Sequence, residues 1–221
     1  MIRVLVVEDE RTLADALEIA IGAQPDLECA GAVATVEEAL PLVAERNPDV
    51  VLMDIHLPGA DGIEGTRRIR AAHSPRIRVL LLTADTDPRR LVAGAAAGAA
   101  GFLANDSAFA TVLAAIRAPA DGPMYIGEST LGLLVAALGP APGEAPPRPG
   151  YGRGELTARE REVLRLMARG LGPRAIAGLL VVSPHTARGH VKRVMAKLGA
   201  HSQLEAVVIA ARSGLLRAPV P

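Results

Sequence analysis

A single cysteine, Cys29, is all the thiol chemistry this 221-residue chain carries. That excludes an intrachain disulfide and a cysteine cluster for zinc or iron–sulfur, and it fits a reducing compartment. Long hydrophobic runs are missing too. The longest, residues 91–104, has 14 residues with three internal glycines, too short and too interrupted to cross a bilayer. The N-terminus turns acidic at Glu8 and lacks a signal-peptide layout. A soluble cytoplasmic protein with no membrane partner is therefore expected. Charged residues make up only 22% and apolar ones 50%, which excludes a disordered tail or a coiled coil and leaves ample material for a core. Aromatics number four, and the two lysines, Lys192 and Lys197, both lie near the C-terminus.

A net charge of zero conceals an asymmetry. Residues 1–117 hold 17 acidic and 11 basic side chains, a balance of −6, whereas residues 151–221 hold 4 and 12, a balance of +8. An acidic front and a basic tail predict two domains, the second facing a polyanion. Between them, ten of the sixteen residues from 139 to 154 are Gly or Pro, a composition that reads as an extended linker.

In the first half, short β-branched and leucine runs alternate with helical patterns. Ile2–Val7, 49–53 and Arg78–Thr83 have the length and composition of buried strands, and 29–33 and 101–103 are weaker candidates. Leu13, Leu17, Ala20 and Ile21 form one helical stripe. Thr35 and Glu38 have capping-box spacing, although Pro41 should kink or shorten the helix they open. Alternating strands and helices predict right-handed βαβ units and a doubly wound five-stranded parallel sheet of flavodoxin-like size. Chemistry in such sheets lies beyond the carboxyl ends of the strands, at the switch point.

Those ends are acidic. The first strand runs into Glu8, Asp9 and Glu10, the third into Asp54, followed by His56 and the turn Pro58-Gly59, and the fourth ends at Thr83. Carboxylates converging on one edge repel one another unless a hard cation joins them, and Mg²⁺ is the natural partner. A carboxylate on Mg²⁺ can act as a nucleophile toward a phosphoryl group, with the Thr83 hydroxyl placed to hydrogen-bond the new phosphoryl oxygen. The segments from Val6 to Glu10, Asp49 to Gly62 and Leu81 to Ala84, with the block from Gly98 to Asp106, resemble the receiver domain of bacterial two-component response regulators. That resemblance implies that Asp54 is the phosphoacceptor, that Glu8 and Asp9 position Mg²⁺ with it, and that Thr83 and Phe102 are a switch pair. It also implies a sensor histidine kinase or small phosphodonor as partner. The chain departs from the pattern at Asn105, which stands where the family has a lysine that contacts the phosphoryl group.

Beyond the linker the pattern is wholly helical. Thr157 and Glu160 form a capping box opening a helix that ends near Gly170. Pro173 opens a second helix to about Leu180, Ser183-Pro184 a third to Gly199, and Ser202 with Glu205 a fourth that closes at Gly214. On the third, Ala187, Val191, Val194 and Leu198 form the buried stripe, leaving His185, Arg188, Gly189 and Lys192 on the solvent face. A basic helix after a short helix and a tight turn has helix-turn-helix geometry, and arginine can pair bidentately with guanine. The run from Glu155 to Gly170, then Ile176-Ala177, Ser183 to Lys192 and Lys197 to Gly199, is similar to the LuxR-type helix-turn-helix. With the receiver it resembles the NarL/FixJ group of response regulators over almost the full chain. By that resemblance Thr186, Arg188, Lys192 and Lys197 face double-stranded promoter DNA. The chain departs from the pattern at Ala175, where an acidic residue is usual, at Ala187, where valine is, and at Gly189, which removes a base-reading side chain.

The expected organisation is a receiver over residues 1–120, a helix and Pro/Gly-rich linker over 121–153, and a four-helix LuxR-type domain over 154–217. The expected function is a phosphorylation-controlled transcriptional regulator, a homodimer joined through Val207, Val208 and Ala211 of the last helix. Two rivals remain: a phosphorylation-independent regulator sensing a small molecule or partner protein, which Asn105 permits, and a haloacid-dehalogenase-like phosphatase. The second is disfavoured because those enzymes carry Asp-x-Asp where this chain has Asp54-Ile55-His56, and because no cap domain is present. No enzymatic activity is expected.

Overall fold

The apolar runs of the first half become strands. In the computed structural model, which describes residues 1–72, 77–84, 87–119, 122, 125, 126, 131, 135 and 155–216, β1 is Ile2–Val7, β2 Leu27–Val33, β3 Val50–Asp54, β4 Arg78–Thr83 and β5 Gly101–Ala104. All pair in parallel in the order β2-β1-β3-β4-β5. Residues 4–7 of β1 and 50–53 of β3 are fully buried, as expected for central strands covered on both faces. β2 begins two residues earlier than the pattern predicts because, as an edge strand, it carries the half-exposed Glu28, which pairs with Arg3 at 3.3 Å. Between Val4 and Leu5 the β1–β2 register skips Ala30, and the bulge is carried by Gly31 at φ 140°. At β3 the register moves the other way. Asp49 stays outside, accepting the Arg3 backbone N–H at 2.9 Å, and Asp54 enters the strand opposite Leu82.

The helices of this half are α1 (Arg11–Gly22), α2 (Val36–Arg46), α3 (Gly62–Ala72), α4 (Pro88–Ala97) and α5 (Phe109–Arg117). α1 buries Ala14, Leu17 and Ile21, with Leu13 and Ala20 at the margin of that stripe. α2 runs through Pro41 to a left-handed Asn47 cap, so the proline does not end it. Its Thr35 hydroxyl accepts the Glu38 N–H, while Glu38 reaches back to the Ala34 N–H rather than to Thr35, a box widened by one residue.

In the second half, α6 (Ala158–Met167), α7 (Pro173–Leu180), α8 (Pro184–Leu198) and α9 (Gln203–Arg212) follow the predicted caps. The Thr157–Glu160 box is complete in both directions, and α6 ends at Met167, with a turn reaching the left-handed Gly170. α8 closes on left-handed Gly199. By compactness the chain divides into two units, Met1–Thr86 with Ala97–Arg117 and Asp87–Ala96 with Ala118–Pro221. The expected linker, residues 139–154, lies outside the described residues. Among the described residues no helix is long and apolar enough to cross a membrane.

Candidate functional site

The strand order creates the first site. From β1 the chain goes outward to β2 and then returns past β1 to β3, so β1 and β3 are neighbours whose following segments diverge, which opens a crevice at their carboxyl ends. Glu8 and Asp9 follow β1 directly, and Asp54 is the last residue of β3. One carboxylate oxygen from each of the three lies within 4.8 Å of the others, and no other such group of acids, histidines or cysteines occurs among the described residues.

Two of the three acids are buried. Glu8 is 4% exposed and Asp54 6%, whereas Asp9 is exposed. Burial pushes the Glu8 carboxyl up to about 7, against the Glu10 backbone N–H that donates to it at 3.1 Å and with the charges of Asp54, Asp9 and Glu10 adding to the rise. Burial also raises Asp54, opposed by the backbone N–H groups of His56 and Ile55. Glu8 Oε2 and Asp54 Oδ1 are buried acceptors with no hydrogen-bond partner. Two buried oxygens without donors, beside a third carboxylate, form a hard, anionic donor set that fits a divalent cation such as Mg²⁺.

The turn after Asp54 is sterically tuned. A Cβ on Gly62 would fall far inside contact distance of the Asp54 carbonyl oxygen, and the Gly62 N–H donates to the Ile55 carbonyl at 3.0 Å. Asp61 Oδ1 then accepts the Glu64 N–H at 2.9 Å and starts α3. Gly62 is a site residue that the sequence pattern did not single out, since it looks like any turn glycine.

The remaining expected residues divide by position. Thr83, the buried last residue of β4, lies at the same sheet edge on the strand next to β3, and its carbonyl accepts the Asn105 N–H at 3.1 Å. Phe102 is 9% exposed and pairs with Leu81 inside the sheet. Asn105 follows β5 and is exposed, as is His56.

The second site is built on α8. Ala187, Val191, Val194, Met195 and Leu198 are buried, which leaves His185, Thr186, Arg188 and Lys192 exposed on the opposite side. Ser183 caps the helix through the Thr186 N–H at 3.0 Å and lies 2.8 Å from the Thr186 hydroxyl. Gly189 has open space where a Cβ would be.

Two sets of expected residues are engaged within the chain. Lys197 does not join the exposed set, because its ammonium is 2.7 Å from Glu160 Oε2 and 2.9 Å from the Glu155 carbonyl. Glu160 is 3% exposed, and although burial opposes its charge, hydrogen bonds from Lys197 and Thr157 hold it below the usual carboxylate range. The capping-box spacing of Glu160 disclosed its local role but not its partner 37 residues away. Val207, Val208 and Ala211 are not a dimer surface in this conformation: they are 0–3% exposed within the single chain.

Comparison with known proteins bears on the two halves of the chain as families. Residues 4–117 match the family described as the response regulator receiver domain, and residues 154–210 match the bacterial regulatory proteins of the luxR family. The chain is 32% identical over 217 residues to the transcriptional regulatory protein LiaR of Bacillus subtilis, covering 98% of this chain and 100% of that protein. It is 34% identical over 215 residues to the probable transcriptional regulatory protein NarL of Mycobacterium tuberculosis, covering 97% and 96%. The fold is shared with the RcsB response regulator of Salmonella typhimurium, at a TM-score of 0.52 and 22% identity over 94% of this chain and 98% of that one. With both families matched in order along one sequence, the chain belongs to the two-component response regulators that carry a LuxR-type DNA-binding domain, and it is a transcriptional regulator.

Proposed function

We propose that phosphorylation of Asp54, with Mg²⁺ held by Glu8, Asp9 and Asp54, switches the chain between transcriptional states, and that the switched form binds promoter DNA as a homodimer. The observation that carries this reading is the convergence of three carboxylates within 4.8 Å, two of them with buried oxygens that lack any donor. When bound, Mg²⁺ neutralises charge on these carboxylates and on a phosphoryl group. An Asp54 oxygen forms the new bond to phosphorus as the bond from phosphorus to the donor's leaving group breaks and that group departs with the electron pair. The donor is a sensor kinase phosphohistidine or a small acyl phosphate. The Thr83 hydroxyl donates to a phosphoryl oxygen, and Phe102, buried on β5, repacks with it.

Asn105 sets the strength of this switch. An ammonium a few Å from the phosphoryl group contributes roughly 1–4 kcal/mol at a surface-like dielectric. A neutral amide donor supplies about 0.5–1.5 kcal/mol. Phosphorylation is therefore coupled to the output more weakly here than a lysine in that position makes it.

On the DNA side, Arg188 and Lys192 read base edges or phosphates and Thr186 contacts the backbone at the start of α8. Lys197 is left out, being engaged by Glu160. A related protein of Mycobacterium tuberculosis, 30% identical over 219 residues, is named a DNA-binding transcriptional activator, and RcsB is described as dimers bound to DNA.

Intact-mass measurement after acetyl phosphate treatment tests the receiver half. The chain should gain one phosphoryl group with Mg²⁺ and none with EDTA, and Asp54→Asn should gain none. Because a proton on Glu8 competes with the cation, labelling at limiting Mg²⁺ should rise as pH passes upward through about 7. Labelling that is indifferent to Mg²⁺, or that survives in Asp54→Asn, contradicts the assignment.

A further inference from the structure

We propose that α6 carries a second DNA contact, in which Arg161, Arg165 and Arg169 bind the phosphate backbone of duplex DNA independently of sequence and apart from the groove read by α8. The inference rests on the DNA-binding reading above and extends it to a surface outside the helix-turn-helix.

The three arginines recur every four residues, so they form one row along the helix and the turn that continues it, about 6 Å apart in axial rise and spanning about 12 Å. All three are exposed, on the side of α6 away from its buried Val163, Leu164 and Met167. None makes a side-chain hydrogen bond or ion pair with any described residue. Most other arginines behave differently. Arg159, on the same helix, is held by Glu162 at 2.7 Å and donates to the Leu180 carbonyl at 2.9 Å. In the first unit Arg3, Arg67, Arg68 and Arg117 all pair with carboxylates.

No acid on α6 is left for the row. Its two glutamates are committed, Glu162 to Arg159 and Glu160 to Lys197. Like charges four residues apart oppose the helix that displays them. The surrounding residues 151–221 add no compensation, since they carry a balance of +8.

Charge complementarity thus calls for an anion, and the surface indicates which kind. Protein interfaces concentrate their binding energy in a few buried anchors, aromatic side chains and arginines, near the centre of the contact. The large apolar side chains exposed among the described residues are Met1, Ile19, Leu179 and Val181, and none lies on α6. A phosphate backbone is held by charge alone.

The test uses the full chain and a duplex of about 30 base pairs of random sequence, with the observed association constant followed from about 50 to 300 mM KCl. The triple variant R161Q/R165Q/R169Q should bind at least about tenfold more weakly at low salt, and its log–log salt slope should be shallower by about two to three, near 0.9 for each phosphate no longer neutralised. The triple Arg→Lys variant should keep the slope. A thermal midpoint for the Gln variant no lower than that of the parent shows that the fold is intact. R188Q/K192Q separates the two readings. If it loses slope and the α6 variant does not, the second contact is refuted while DNA binding through α8 stands. If neither changes, the DNA-binding reading fails with it. If the α6 variant keeps its DNA slope but loses binding to a polyglutamate probe, the row serves an acidic protein and the proposal is overturned.

Discussion

Val181 takes φ 52° and ψ 48° as the C-cap of α7, a left-handed conformation that its branched Cβ opposes, and its side chain is 90% exposed. No burial offsets that strain. Asn47 adopts the same region at the end of α2 at less cost, since a short polar side chain tolerates it. Val181→Gly should therefore raise unfolding stability by about 1 kcal/mol, the relief of strain being partly offset by the greater freedom of glycine in the unfolded chain. Urea unfolding measures it, and a loss of stability contradicts the strain argument. At this scale the sequence was legible where chemistry sits at the end of an apolar run, as with Glu8, Asp9 and Asp54. It was silent at Gly62, whose role depends on how closely β3 passes the start of α3. No linear pattern encodes that approach.

Capping residues made the helices readable, since an N-cap is a contact within four residues. Thr157, Ser183 and Ser202 each accept the backbone N–H they were expected to accept. The return arm is less regular: Glu205, like Glu38, reaches one residue further, to the His201 N–H at 2.7 Å. Strand ends were less readable, because neighbours across the sheet set them. Pairing between elements was the least readable, and Lys197 illustrates why: helical spacing places it on α8 but cannot show that Glu160 of α6 claims it. Lys197 is thus a positioning residue tying the C-terminal end of α8 to the start of α6. Lys197→Met should destabilise the DNA-binding unit by about 1–3 kcal/mol, because it strands a buried carboxylate. It should leave the salt slope of DNA binding unchanged, and Glu160→Gln in the same chain should recover part of the stability. A slope shallower by about 0.9 in Lys197→Met assigns the ammonium to a phosphate and contradicts the positioning role.

For the whole molecule, the division of charge carried the information that the net value hid. The half with a balance of −6 holds the carboxylate crevice, and the residues with a balance of +8 hold the exposed faces of α6 and α8. The two fold classes were legible because βαβ alternation and runs of capped helices are patterns of different period. The packing of the last helix was not. Val207, Val208 and Ala211 look like an interface stripe in sequence, yet the single chain buries them. Core and interface residues share one composition, so only packing distinguishes them.

In the proposed switch the state of Asp54 governs how tightly the chain holds DNA, which is read from half-saturation of genomic duplex fragments by the full chain before and after Mg²⁺-dependent acetyl phosphate treatment. Affinity should tighten by about fivefold or more on modification, not at all in Asp54→Asn, and by more in Asn105→Lys. Equal affinity of the unmodified chain and of chain shown by mass to carry the phosphoryl group contradicts it.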